Sequence, residues 1–435
     1  MDLSKKLNHK VSEIQRYQNY RGVLHHMELG GEISSRMTFN DKETVVWCVN
    51  DYLGLMNNKE SKQLAAEVTL KYGSAYPHAT RATFGETKFH REFEEELADF
   101  VSQETAYLLN LGYAGICSVV DALTDRHDTI IYDQAIHACS IDGVRLHNGR
   151  KFCFKHNSVE HLETQIKRAL KRHDPETGTI LVIIDGVYSM HGEQAPLKEI
   201  VALKKKYGFC LLVDDSHGFG VLGHSGAGVA QEHHVEADVD IYIATFTKAM
   251  GSLGAFVAGN KTIIDYLRYN TRSQIFSRTI PLSQLLPAQH NLRLLRKEPG
   301  RRIKLWNNTI RFQNGLKKMG INIGEPESPV TPIRIIGSID EGIEVLLDLR
   351  NNGVFSYLVC YPVVPKGTCL IRMVPTYNHT IQDIDHTLNV FKKLIKKYPE
   401  RLLKNHSVEK VVTLIKQMPK QEEDRLTLSI ALGGK

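Results

Sequence analysis

The strongest constraint on this chain is a set of short apolar runs, each closed by a polar residue able to do chemistry. Ile180–Asp185, Cys210–Asp214 and Ile241–Phe246 belong to a series rich in β-branched or aromatic residues, and their apolar runs are almost unbroken. They are too short for ordinary helices and read as strands covered on both faces. Ala106–Leu109, Thr129–Tyr132 and Ala255–Ala258 extend the series, and amphipathic stretches at Lys88–Val101, Ser158–Arg172 and Leu197–Lys206 separate its members. Strands alternating with helices predict an α/β fold with a largely parallel sheet. In such sheets ligands gather beyond the carboxyl ends of the strands, where the polar residues fall.

With 435 residues, the chain is long enough for two or three domains at roughly 150 residues each. An N-terminal helix (Val11–Tyr20) and a connector are expected over residues 1–59, and a large sheet domain over 60–285. After that the pattern changes to a long helical region (Gln284–Lys318), strands at Val330–Ile336 and Cys369–Val374, and helices at Asp340–Arg350 and Ile381–Lys397. A smaller α+β domain over 286–404, joined by the N-terminal segment, and an appendage over 405–435 follow from it. Hydrophobic residues make up 42% and charged residues 24%, which excludes global disorder. The longest aliphatic run, Ile180–Ile184, is far short of a membrane span, and Met1–Lys6 leads into a polar segment. A cytoplasmic protein, at most peripheral to a membrane, is expected. The seven cysteines are scattered and read as reduced thiols, and the net charge of +6 is too small and too spread out to argue for nucleic acid.

Three motifs mislead. Gly218-Phe-Gly220-Val-Leu-Gly223 has the dinucleotide spacing, but the following His224-Ser-Gly226-Ala-Gly228 cannot open a good helix to receive a pyrophosphate. Gly254 to Thr262 resembles a phosphate-cradling loop, except that Asn260 separates Gly259 from Lys261. His233-His234 lacks a third ligand at metal spacing.

Three strand ends hold the reactive residues: Asp185 with Tyr188 and Ser189, Asp214 with Asp215 and His217, and Thr245 with Thr247 and Lys248. A lysine directly after an apolar strand, flanked by threonines and followed by Gly251 and Gly254, is a poor choice for a solvated charge. A carboxylate on a neighbouring strand is what a pyridinium nitrogen needs.

Over about residues 45–400 the sequence resembles the α-oxoamine synthases, fold-type-I enzymes dependent on pyridoxal 5′-phosphate (PLP). The ordered matches are Asn50-Asp-Tyr-Leu-Gly54, His90-x-x-Phe-Glu94, Gly112-Tyr113, His137-Ala-x-x-x-Asp142-Gly, Asp214-Asp-x-His217, Thr245-x-x-Lys248 and Pro362–Gly367. The resemblance implies a large, mostly parallel, seven-stranded type of sheet with a smaller α+β domain. It implies that Lys248 binds PLP covalently and serves as acid and base, that Asp214 pairs with the pyridinium nitrogen, and that His137 stacks on the ring. His217 and Ser189 would lie near the phenolic oxygen. Thr245, the Gly112-Tyr113 amides and Ser277 of a second subunit would hold the phosphate. Arg372 would clamp the amino-acid carboxylate, with Asn50 adding a hydrogen bond. His90 reads as a structural residue at its helix entry.

The implied reaction is decarboxylative condensation of an amino acid with an acyl thioester, in a homodimer with shared sites. The family's glycine-rich approach to the helix near His90 is replaced here by Ala75–Gly85, small residues after Arg372 give way to Tyr377-Asn378-His379, and His191 replaces an acid. His78, Arg81 and Tyr377 could receive a second anion on the substrate, which points to cysteate, then serine, with a long-chain donor in sulfonolipid or sphingolipid synthesis. Glycine C-acetyltransferase, 8-amino-7-oxononanoate synthase and a non-condensing aminotransferase or lyase remain alternatives. Basic residues at Arg301, Arg302, Lys304, Lys317 and Lys318 suit an acyl carrier protein or coenzyme A.

Overall fold

The computed structural model describes residues 2–8, 20, 22–361, 363–364 and 367–403. The expected appendage, all but Tyr20 of the expected helix Val11–Tyr20, and three positions of the Pro362–Gly367 segment lie outside the described residues. The rest forms two compact units. The larger comprises Asn50–Thr309 and Glu325–Val330; the smaller takes the N-terminal residues up to Val49, Ile310–Gly324 and the residues from Thr331 onward.

The larger unit is built on a seven-stranded sheet. Its spatial order is Thr105–Leu109, Ala255–Gly259, Ile241–Thr245, Cys210–Asp214, Ile180–Asp185, Thr129–Asp133, Arg150–Phe154. Six strands run in one direction, and Ala255–Gly259 is antiparallel to both its neighbours. Every residue of Ile180–Asp185 and Ile241–Thr245 is buried, which explains their unbroken apolar character. Helix Val159–Leu170 shows the complementary pattern: Leu162, Gln165, Ile166 and Ala169 are buried at helical spacing, and the Ser158 side chain accepts from the His161 amide. The edge strand Arg150–Phe154 escaped the sequence reading because Arg150 and Lys151 are exposed, as charges on an unpaired edge often are.

The domain boundaries expected at 59/60 and 285/286 need correction to 49/50 and 309/310. The cause is a helix pair. Ser61 in helix Lys59–Tyr72 donates to Asn291 of helix Leu282–Lys297 at 2.5 Å, and Asn291 donates to the Met250 carbonyl at 2.8 Å. Gln289 adds a 2.8 Å bond to Glu96. The expected single helical region Gln284–Lys318 is two helices, Leu282–Lys297 and Pro299–Lys318.

In the smaller unit the N-terminal segment supplies the hairpin Arg36–Phe39 and Lys42–Val46, and Val354–Phe355 adds a parallel strand. A second, antiparallel sheet has the order Thr331–Ile336, Thr368–Met373, Tyr357–Val359. Helices Ile339–Asn351 and Ile381–Lys397 each begin with a capping box, Ser338 with Glu341 and Thr380 with Asp383. Trp47 is fully buried here, stacked on Phe312 at 4.2 Å and donating to Thr387. Val374 donates its amide to the Trp47 carbonyl at 2.7 Å, which joins the N-terminal segment to this core.

Ile183 lies at the centre of the larger sheet with no exposure. Ile183→Ala should therefore destabilise the protein by about 2–5 kcal/mol, the usual cost of emptying such a site. The check is a lowered midpoint of urea unfolding.

Candidate active site

Asp185 and Asp214 are paired across adjacent parallel strands, so their side chains leave the same end of the sheet. Thr245 ends the next strand, and the chain then makes the turn that carries Lys248. Residues from these ends line a cavity of about 190 Å³, among them Gly112, Tyr113, His137, Asp185, Ser189, Asp214, His217, Thr245 and Lys248.

The Lys248 turn is closed at both ends. Thr245 pairs with Ala255 in the sheet, Phe246 donates to the Gly254 carbonyl at 2.8 Å, and Ser252 donates to the Phe246 carbonyl at 2.9 Å. Gly251 has φ +57°, and a Cβ there would come within 2.3 Å of the Met56 amide nitrogen. That close approach requires glycine.

Helix Gly112–Leu123 begins at the cavity, and its N-cap Leu111 makes no side-chain capping bond. Its first amides therefore present an anion-binding end to the cavity. The Thr245 hydroxyl lies 3.0 Å from that of Thr247, and a Cβ on Gly112 would stand 3.1 Å from it.

His137 caps helix Ala138–Leu146, its Nδ1 accepting from the Cys139 amide at 3.3 Å. Its own amide donates to Asp185 at 3.1 and 3.3 Å. Burial lowers the His137 pKa, Asp214 opposes that and Lys248 reinforces it, so the ring is held neutral. Burial, and then the charge of Asp214, push the Asp185 carboxyl well above the usual range. His217 Nδ1 lies 2.7 Å from the hydroxyl of Tyr52, which is fully buried. Tyr52 was missed as a site residue, although it stands inside the quoted Asn50–Gly54 motif.

Asp215, next to Asp214, explains the glycine decoy. Its carboxylate accepts from the Val229 amide at 2.7 Å and the Tyr242 hydroxyl at 2.8 Å. A Cβ on Gly218 or Gly228 would sit 2.1 or 1.8 Å from that carboxylate. These glycines wrap a buried side chain rather than a pyrophosphate, and burial raises the Asp215 pKa to about 7.

The Ser189 loop is fastened from behind. Tyr188 donates its amide to the Glu193 carbonyl at 3.0 Å. His156 bridges Asp133 at 3.1 Å and Glu193 at 3.0 Å, with its ring edge-on to Tyr188 at 4.2 Å. His191 lies beside it, the two imidazole rings 6.0 Å apart.

The remaining expected residues lie outside the cavity lining. Ser277 is exposed and accepts from Asn110 at 2.9 Å; His78 is exposed and Asn50 half-buried. Arg372 and Tyr377 belong to the smaller unit, where Arg372 is 2% exposed and reaches the Tyr357 hydroxyl at 3.3 Å. His90 bonds Thr87 at 2.8 Å and the Ile280 carbonyl at 3.0 Å, a structural arrangement.

Arg81 needs correction. It is buried, with Glu86 at 2.7 Å and Glu94 at 2.9 Å, and Glu94 also holds Arg268. Both guanidiniums lie over the Tyr107 ring, 5.0 and 4.8 Å from its centroid. Its charge is neutralised inside the fold, so it is not available to a substrate anion. Arg301 and Arg302 likewise turn inward. Arg301 bonds Glu298 and the Leu53 carbonyl, and Arg302 bonds the carbonyls of His224 and Ser225.

Two predictions follow from these clusters. Arg81→Leu should cost about 3–5 kcal/mol, because it removes one of the two guanidiniums that neutralise the buried Glu94; a lowered unfolding midpoint checks this. For His156, burial lowers the pKa, but the bonds to Asp133 and Glu193 outweigh it and hold the pKa at about 9, above the ordinary 6.5. Its contribution is then complete below about pH 6.5 and lost as the pH rises through about 9. Urea midpoints measured across that range should fall more steeply for wild type than for His156→Gln.

A sequence profile of the aminotransferase class I and II family matches residues 42–391. A cysteate-C-fatty acyltransferase from Capnocytophaga ochracea is 47% identical, over 85% of this chain and 88% of that one. An 8-amino-7-oxononanoate synthase from Treponema denticola is 37% identical, over 89% and 96%. Among solved structures, serine palmitoyltransferase from Sphingomonas wittichii matches with TM-score 0.85 and 28% identity, over 91% of this chain and 99% of that one. The seven-stranded sheet, the lysine turn and these relationships agree: the chain belongs to the aminotransferase class I and II family and, within it, to the α-oxoamine synthases, PLP-dependent acyltransferases that join an amino acid to an acyl thioester with loss of CO2.

Proposed function

We propose that the amino acid is cysteate and the acyl donor a long-chain thioester. The observation that carries this reading is the 47% identity to a cysteate-C-fatty acyltransferase, against 34–37% for the 8-amino-7-oxononanoate synthases. The substitution of Tyr377-Asn378-His379 for small residues after Arg372 supports it. In this reading Arg372 takes the carboxylate. With Arg81 engaged internally, Tyr377 is the residue assigned to the sulfonate.

The cavity residues fit PLP. The free amides at Gly112-Tyr113 and the Thr245 hydroxyl suit a phosphate, the buried Asp214 carboxylate suits a protonated ring nitrogen, and Lys248 supplies the tethering amine. Bound there, PLP supplies an electron sink that makes the amino acid's α-carbon nucleophilic. Lys248 would take the α-proton at Nζ. His137 is neutral through burial and can cover an aromatic face without adding a competing positive charge. Tyr52 holds His217 in one orientation, so that His217 and Ser189 keep fixed donors at one edge of the cavity.

The protein acts as a homodimer in this reading, with Ser277 serving the partner's phosphate site. Phe84 and Phe276 are 76% and 74% exposed, and Leu111 and Tyr113 about half. Hydrogen bonds from Thr279 to the Ala79 carbonyl and from Asn110 to Ser277 gather these segments beside the cavity entrance. Large apolar side chains this exposed suit a partner's surface. The donor is carried by coenzyme A or an acyl carrier protein, which exposed Lys304, Lys317 and Lys318 could meet.

Thiol release should be at least tenfold faster with cysteate and a long-chain acyl donor than with serine or glycine. Faster turnover with glycine and acetyl-coenzyme A would falsify the substrate assignment. Borohydride reduction followed by peptide mapping should leave the PLP label on Lys248. In sedimentation, wild type should run as a dimer and Phe276→Glu should shift toward monomer.

A further inference from the structure

Two of the seven cysteines face each other across the hairpin that leads to Arg372. Strands Tyr357–Val359 and Thr368–Met373 pair antiparallel, with Tyr357 opposite Arg372, Leu358 opposite Ile371 and Val359 opposite Leu370. The next step in that register sets Cys360 opposite Cys369. Directly opposed residues of an antiparallel pair have Cα atoms about 4.5–5.5 Å apart, inside the range a disulfide accepts. The two thiols lie close enough to shift each other's ionisation.

The surroundings hold Cys369 in place and leave Cys360 reachable. Cys369 is 2% exposed, and its Sγ lies 3.7 Å from the Ser338 carbonyl. It fills the space beside Gly342 of helix Ile339–Asn351, where an added Cβ would come within 3.2 Å of that sulfur. Cys360 is only partly buried. The interaction between them lowers the pKa of the Cys360 thiol, and that interaction and burial raise that of Cys369. A partly buried sulfur that ionises more easily, backed by a buried one within reach, is the arrangement of an attacking and a resolving thiol.

We propose that Cys360 and Cys369 form a reversible disulfide that clamps the root of the loop between them and the strand carrying Arg372. With a small-molecule disulfide as oxidant, the Cys360 thiolate attacks one sulfur and releases one thiol. Cys369 then loses its proton and attacks Cys360, releasing the second thiol. Two protein thiols are oxidised, one disulfide is reduced to two thiols, and the protons balance. Arg372 follows Cys369 by three residues, so the crosslink fixes one end of the strand that presents it. This consequence rests on the proposed role of Arg372; the crosslink itself does not.

The test uses the full-length holoenzyme and glutathione disulfide. After oxidation, the remaining thiols are alkylated in denaturant and the digest is mapped by mass spectrometry. The expected result is loss of two of the seven thiols, one linked peptide pair holding Cys360 and Cys369, and recovery with dithiothreitol. Cys369→Ser should instead retain glutathione on Cys360. Alkylation of both cysteines, linkage to other partners, or a stable glutathione adduct on wild-type Cys360 overturns the pair. Oxidation should shift KM for the amino acid at least threefold while the visible PLP band is unchanged. Crosslinking with an unchanged KM overturns the clamp but leaves the substrate assignment, tested separately by amino-acid preference, untouched.

Discussion

Asp185 and Asp214 end neighbouring strands with 4% exposure each, side by side in the wall of one cavity. Two carboxylates so placed cannot both carry charge without a cation close by, because burial penalises each charge and their mutual repulsion adds to it. The upward push on Asp185 expresses that conflict. A pair of this kind calls for a positive group close by, and the Lys248 side chain lines the same cavity. The arrangement of the other cavity residues can be understood as keeping this unfavourable charge in place: His137 tied by its amide to Asp185, and the Asp214 carboxylate accepting from the Ser216 amide at 3.1 Å.

Behind that wall stands a second layer of buried polar groups. Asp215 gathers Val229, Tyr242 and a ring of glycines, while His156 fastens Asp133 to Glu193 under the Ser189 loop. Bonds of this kind are how a loop that carries a polar side chain can be as fixed as the strand it leaves. The residues of the cavity wall are thus positioned by side chains outside its lining.

Much of this was legible in the sequence. The runs Ile180–Asp185 and Ile241–Phe246 gave the sheet because a strand covered on both faces must be apolar throughout, and the polar residue at each run's end marked the ligand side. What escaped had a different physical origin. Arg150–Phe154 and the hairpin Arg36–Val46 are short or polar at exposed positions, so periodicity is silent there. Arg81 was misread because neither Glu86 nor Glu94 stands at a spacing that marks an ion pair; only the folded chain brings three charges and Tyr107 together. Tyr52 was overlooked because a tyrosine among apolar residues is ordinarily core, and its bond to His217 spans a long stretch of sequence.

The single reversed strand, Ala255–Gly259, has a mechanical consequence. A parallel partner would have required a long crossover after Thr245; an antiparallel one lets the chain return at once, anchoring the reactive amine's backbone at two points of the same sheet. Lys248 would then reach a bound cofactor or substrate by rotations about its four methylene carbons, from a turn whose main chain is held on both sides.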